Sequence, residues 1–95
     1  MSLPGRDLVI WKYPLEARIR LPSGAKILTV GTQLERPYVW CLCDPEVLTE
    51  NRTFVIVATG DWYDRAFFDD LKYVGTYQQY QTQVWHVFER RGEQG

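Results

Sequence analysis

Apolar and polar side chains alternate with a period of two along most of this chain, the pattern of strands that bury one face. Residues 8–13 set Val9, Trp11 and Tyr13 on one side and Leu8, Ile10 and Lys12 on the other, and Pro14, which has no ladder donor, ends the run. Residues 17–21 alternate more cleanly, with Ala17, Ile19 and Leu21 inward and Glu16, Arg18 and Arg20 toward water. Pro22-Ser23-Gly24 is turn chemistry. The strand expected next, residues 25–34, is interrupted by Gly31, a position suited to a bulge or a close packing contact. Glu35-Arg36-Pro37 reads as a short hairpin connection into residues 38–43, which are apolar on both faces and fit a central strand.

After Asp44-Pro45, residues 45–51 read as a polar connection. Residues 53–59 are the richest in β-branched side chains and form the strongest strand, ended by Gly60 and Asp61. Residues 61–71 are the one candidate helix: Asp61 offers a cap, and Tyr63, Phe67 and Leu71 fall at i, i+4 and i+8. The competing reading is a structured loop with its aromatic rings tucked in. Residues 72–80 and 83–89 form a last strand pair, with Trp85, Val87 and Glu89 on one face and Val84, His86 and Phe88 on the other. The expected fold is all-β, or β-rich α+β with one short helix: a small antiparallel sandwich or barrel of about seven strands. Residues 1–7 read as a flexible leader, 8–89 as a single β-rich domain and 90–95 as a polar tail.

Composition narrows the classes further. Ninety-five residues, 45% hydrophobic and 24% charged, describe one ordinary globular domain and exclude a disordered chain. Aromatic residues make up 15%, enough to build a thin core and to line a groove or a dimer interface as well. A net charge of −1 argues against non-specific nucleic-acid binding. No apolar run approaches the ~20 residues of a membrane helix, and no signal-peptide core is visible, so a soluble cytoplasmic protein is expected. A disulfide between Cys41 and Cys43 would be strained, because an extended strand holds their side chains parallel instead of converging, and they read as two buried thiols on one face. With His86 they do not complete a zinc site, so neither metal nor cofactor is expected.

Motifs that name a reaction are missing. The glycine signatures of phosphate loops and dinucleotide folds do not occur, nor does a Gly-x-Ser-x-Gly elbow. Asp61, Asp64, Asp69 and Asp70 lack calcium-loop spacing and read as solvated acids flanking an apolar segment. His86 is the only histidine; as a base it needs a nucleophile and an orienting group, for which Thr59 and Asp61 are the available partners. No catalytic residue is assigned. The more suggestive places are the ends of the 53–59 strand, where Arg52 with Thr53 and Thr59 with Gly60 offer donors to an anion. Trp11, Tyr13 and Trp85 could stack a base nearby, with His86 beside them. The plainer alternative is Arg52 in an ion pair and Thr59-Gly60 in an ordinary turn.

The motifs Ile10-Trp11-Lys12-Tyr13, Leu21-Pro22-Ser23-Gly24-Ala25-Lys26-Ile27-Leu28, and Val39-Trp40 followed by Asp44-Pro45-Glu46 occur in order. They are followed by Arg52-Thr53-Phe54, Thr59-Gly60, Leu71-Lys72-Tyr73-Val74-Gly75-Thr76 and Val87-Phe88-Glu89. Together, over about residues 8–89, they resemble an uncharacterised family of short proteins from bacteriophages and prophages. That resemblance carries no catalytic residues. It implies a small accessory protein in the cytoplasm of an infected bacterium, where several unrelated short phage proteins are sponges for nucleotide immune signals. The leading expectation is a non-enzymatic homo-oligomer that binds a nucleotide-like anion at a subunit junction. The alternatives are a protein-interaction module inhibiting a host enzyme and a small nucleotide hydrolase.

Overall fold

A computed structural model describes residues 7–90, so residues 1–6 of the expected leader and 91–95 of the expected tail lie outside the described residues. The described residues form seven strands: β1 (Val9–Pro14), β2 (Arg18–Pro22), β3 (Lys26–Gln33), β4 (Arg36–Cys43), β5 (Thr49–Ala58), β6 (Leu71–Gln79) and β7 (Gln83–Arg90). They make two antiparallel sheets, β1-β4-β3 and β2-β5-β7-β6. The fold is therefore a flat, sandwich-like pair of sheets, 50 × 31 × 15 Å, and not a closed barrel. The two runs with the strongest strand character, in β4 and β5, both occupy interior positions of their sheets.

Period-two burial explains the core. Across the first sheet Val9 stands opposite Cys43, Trp11 opposite Cys41 and Tyr13 opposite Val39. Val39, Cys41 and Cys43 meet Leu21, Phe54, Tyr77 and Val87 of the second sheet in one apolar interior. The two thiols are free and buried, and their burial, together with Cys43 as neighbour, pushes Cys41 up to about 11. Burial also raises the phenols of Tyr13 and Tyr77.

The elements differ from expectation in places where tertiary contacts override the local pattern. Ala17 is exposed, because the chain crosses between the sheets there; Leu15 is buried instead, and the Ala17 carbonyl accepts the Phe54 N–H at 2.8 Å. The β3 bulge falls between Ile27 and Thr29, not at Gly31, which packs beside the Trp40 ring, where a Cβ would stand in ordinary contact at 3.5 Å. β5 begins at Thr49, inside the expected connection. The candidate helix is a single 3₁₀ turn, Arg65–Phe68, capped by Asp64 in place of Asp61. The β3–β4 hairpin turns at Leu34 and Glu35 (φ 51° and 64°), while Arg36 and Pro37 already belong to β4.

That turn uses no glycine or asparagine, although left-handed backbone disfavours side chains with a Cβ. The β6–β7 turn does the same at Tyr80 and Gln81 (φ 53° and 65°). The two tips clasp each other: Gln79 Nε2 donates to the Glu35 carbonyl, and the Tyr80 N–H donates to Glu35 Oε1, both at 2.8 Å.

Two further contacts hold the sheets together. Edge strands β3 and β6 lie against each other without a ladder, and a Cβ on Gly75 would stand 2.9 Å from Val30 Cγ2. Only a residue without a side chain fits this crossing. At another point Arg52 of β5 reaches across the interior, its Nη1 donating to the Ala25 carbonyl at 2.9 Å. Glu89 of β7 grips the same guanidinium through Nε and through Nη2, the latter at 3.0 Å. The hydrogen bonds to Glu89 hold Arg52 firmly in its charged form.

Gly75→Ala is expected to lower the unfolding free energy by about 1–3 kcal/mol through overpacking. Trimming the opposing side chain in Gly75→Ala/Val30→Ala should leave less loss than the two single changes added together, measured by urea denaturation. Arg52→Met should cost about 3 kcal/mol or more by leaving Glu89 half-buried and unpaired, and Arg52→Met/Glu89→Leu should recover most of that loss.

Candidate functional site

The outer face of the second sheet is covered over part of its area by residues 61–70. Three aromatic rings of this segment cluster: Tyr63 and Phe67 at 4.8 Å between centroids, Phe67 and Phe68 at 5.0 Å. Phe68 then packs on Phe88 of β7 at 5.2 Å, and Phe88 on Tyr73 of β6 at 5.6 Å. The tucked-in aromatics of the loop reading are therefore present, around one 3₁₀ turn. Beside them lies a shallow cleft of about 410 Å³. Thr59, Gly60, Trp62, Tyr73, His86 and Phe88 contribute to its walls.

Ladder register builds the polar floor of this cleft. Val57, His86 and Thr76 stand opposite one another on β5, β7 and β6, with Val55, Phe88 and Tyr73 in the neighbouring row. A bulge between Tyr73 and Gly75 takes up one extra residue. Without it, Tyr73 and Thr76 would point to opposite faces; with it, Tyr73 OH and Thr76 Oγ1 are 2.6 Å apart. Thr76 Oγ1 is 3.0 Å from His86 Nδ1, and His86 Nε2 is 2.7 Å from Thr59 Oγ1.

The Val84 carbonyl accepts the Thr59 N–H at 3.2 Å, and Thr59 Oγ1 stands at the same distance from it. Each hydroxyl of the run can donate or accept, and both ring nitrogens of His86 are engaged, Nε2 by Thr59 and Nδ1 by Thr76. Trp62 stands at the rim, 96% exposed, its indole unsupported by the sheet.

Three residues expected at a ligand site, Thr59, Gly60 and His86, thus line one cleft. Gly60 has φ 94°, so the strand end turns there in a conformation that favours glycine. The others go elsewhere. Arg52 lies seven residues from Thr59, roughly 23 Å along β5 at strand rise, and its side chain faces the interior with its donors on Glu89 and Ala25. Thr53 lies on the outer face opposite Arg18, and its Oγ1 is buried without a hydrogen-bond partner. Trp85 shares the interior face with Val87, and its Nε1 is buried and unpartnered too. Trp11 and Tyr13 belong to the first sheet, edge to face at 6.5 Å. Sequence reasoning missed Tyr73, Thr76 and Trp62. The adjacent Val74-Gly75 pair was the local sign of the bulge that brings the first two together.

No Lys or Arg lines the cleft, while Asp61 does. Its chemistry suits an uncharged planar group with hydrogen-bonding edges. Among the described residues no cluster of His, Cys, Asp and Glu could hold a metal ion, and no helix is long and apolar enough to cross a membrane.

No curated protein and no solved structure matches the chain. Over residues 7–95 it matches a family described as a domain of unknown function (DUF7352), and the chain belongs to that family.

Proposed function

We propose that this protein is a non-catalytic binding module whose outer-face cleft takes the base of a nucleotide-like ligand. The observation that carries the reading is the meeting, in one cleft, of aromatic surface with Tyr73, His86 and Thr59, which are joined by hydrogen bonds, the first two through Thr76. Aromatic rings stack on any planar base, and hydroxyls beside them read its edge. Trp62, already exposed, closes over the ligand from the rim. The sequence resemblance to short phage proteins supplies the setting: sequestration of a nucleotide immune signal in the cytoplasm of an infected bacterium. Self-association fits the exposed β1 edge, where Leu8 and Ile10 are each more than half exposed.

A second reading has one observation in its favour. The 2.7 Å contact between Thr59 Oγ1 and His86 Nε2 has the separation of a nucleophile and its base. On that reading the protein is a small nucleotide hydrolase, with Thr76 orienting the ring.

One set of titrations separates the two. Adenosine, guanosine, cytidine and uridine are added while tryptophan emission is followed, and at least one should quench it. Trp62→Ala should then weaken binding about 10-fold, as loss of one stacking partner does. Lack of any response to all four nucleosides at millimolar concentration removes the binding reading. Breakdown of the corresponding nucleotides by the native chain, abolished in His86→Ala, replaces it with the hydrolase.

A further inference from the structure

The outward side of the first sheet combines aromatic rings with cations. β4, its middle strand, points Arg36, Tyr38, Trp40 and Leu42 away from the interior, since Val39, Cys41 and Cys43 are the core positions that alternate with them. The ladders set Lys12 of β1 opposite Trp40 and Lys26 of β3 opposite Leu42, so both lysines share this face. The Tyr38 and Trp40 rings stand 6.1 Å apart between centroids, and both residues are partly exposed. Gly31, opposite Tyr38 in the ladder, adds no side chain on this side of the sheet.

The charges on this face are all of one sign. Between the Arg36–Gln33 row and the Leu42–Lys26 row, the outward positions of the three strands include no Asp or Glu. The acids next along the chain, Glu16, Glu35 and Asp44, lie beyond the strand ends, and the last two accept the N–H groups of Tyr80 and Glu46. Among the described residues none of Lys12, Lys26 and Arg36 makes an ion pair within 4.0 Å. Lys12 donates to Gln33 Oε1 and stands 4.7 Å from the Tyr38 ring centroid, two partners that leave its charge unbalanced. The net charge of −1 is a sum over the whole surface and does not describe this face. A second copy of the chain is a poor occupant, because a two-fold contact would set these cations against themselves.

We propose that this face is a platform for single-stranded nucleic acid, DNA and RNA alike. Cations neutralise phosphates with release of counterions, and aromatic rings stack unpaired bases whatever their sequence. Sheet faces that present neighbouring rings are a recurrent form of such platforms. The eight residues of β4 span roughly 26 Å at strand rise, room for about four to eight nucleotides. A duplex keeps its bases stacked on one another and offers the rings nothing to hold. The platform belongs to the first sheet and the cleft with Thr59 and His86 to the second, so neither reading requires the other.

The test follows fluorescence anisotropy of labelled oligothymidine and oligouridine, each of about ten nucleotides, as the full chain is added at low salt. Both should bind, and a duplex of equal length should bind at least ~10-fold more weakly. Lys12→Gln/Lys26→Gln should flatten the dependence of log affinity on log salt by about 1.4, the loss of two phosphate contacts on a single strand. Trp40→Leu should weaken binding about 10-fold by removing one stacking ring. Its fold is checked by circular dichroism, and the lysine variant, changed only at exposed positions, decides the matter if Trp40→Leu does not fold. Arg18→Gln removes a charge from the outer face of the second sheet, opposite Thr53, and should leave affinity within ~2-fold. No binding of either oligonucleotide at ~100 μM protein overturns the proposal, as does an equal effect of Arg18→Gln and the lysine variant. Displacement by poly-glutamate as effective as by unlabelled oligonucleotide also overturns it, in favour of an acidic protein partner.

Discussion

The crossing of Gly75 over Val30 sets how closely the two sheets approach, and most of the architecture follows from that distance. β3 and β6 are edge strands that touch without exchanging ladder hydrogen bonds. A sandwich so thin has room for only one layer of interdigitating side chains. Val30, Val39 and Cys41 from one side and Phe54, Tyr77 and Val87 from the other fill it. The Arg52–Glu89 pair caps part of the same interior with polar groups that satisfy one another and the Ala25 carbonyl. Because the sheets stay unclosed, side chains at the β3–β6 junction open to solvent. That is where a small cavity lies, with Arg52 and Glu89 in its wall.

Much of the fold was legible in the chain because burial has the same period as the strand pleat. The facing of Trp85, Val87 and Glu89 against Val84, His86 and Phe88 follows from alternation alone, and the ladders keep it. The two free thiols on one face follow from it too, and the run that is apolar on both faces, in β4, does take an interior position. Alternation fails where contacts distant in sequence decide the outcome. Ala17 looks inward by pattern, yet the crossover between sheets turns it out and buries Leu15. Turns were misjudged for a related reason. Leu34 and Glu35 adopt a backbone their side chains disfavour, and the clasp with the facing tip stabilises it.

The candidate site was legible in its parts and not in its assembly. His86, Thr59 and Gly60 could be singled out by chemistry, and they do line one cleft. Arg52 drew attention for the same reason, but a planar guanidinium near a partly buried carboxylate is captured by it, here through Glu89. No spacing rule joins Tyr73 to Thr76 on one strand face, since three residues apart means opposite sides in a regular pleat. The extra residue at Val74 changes that parity, and with it the polar floor comes into being. Bulges are invisible to a period-two reading, and the one in β6 adjoins the candidate site.

The clasp between the two hairpin tips has a kinetic consequence. Glu35 meets Gln79 and Tyr80 across 44 and 45 residues of chain, and each tip holds a left-handed backbone that its own sequence does not favour. Neither hairpin gains full value from closing first, so local zippering offers the chain little head start. Its transition state must already bring distant segments together, and topologies dominated by such pairings fold in roughly milliseconds to seconds instead of microseconds. A newly made chain therefore spends that interval with its β-rich runs exposed, which makes the charges scattered along the strand edges valuable before the native state exists at all.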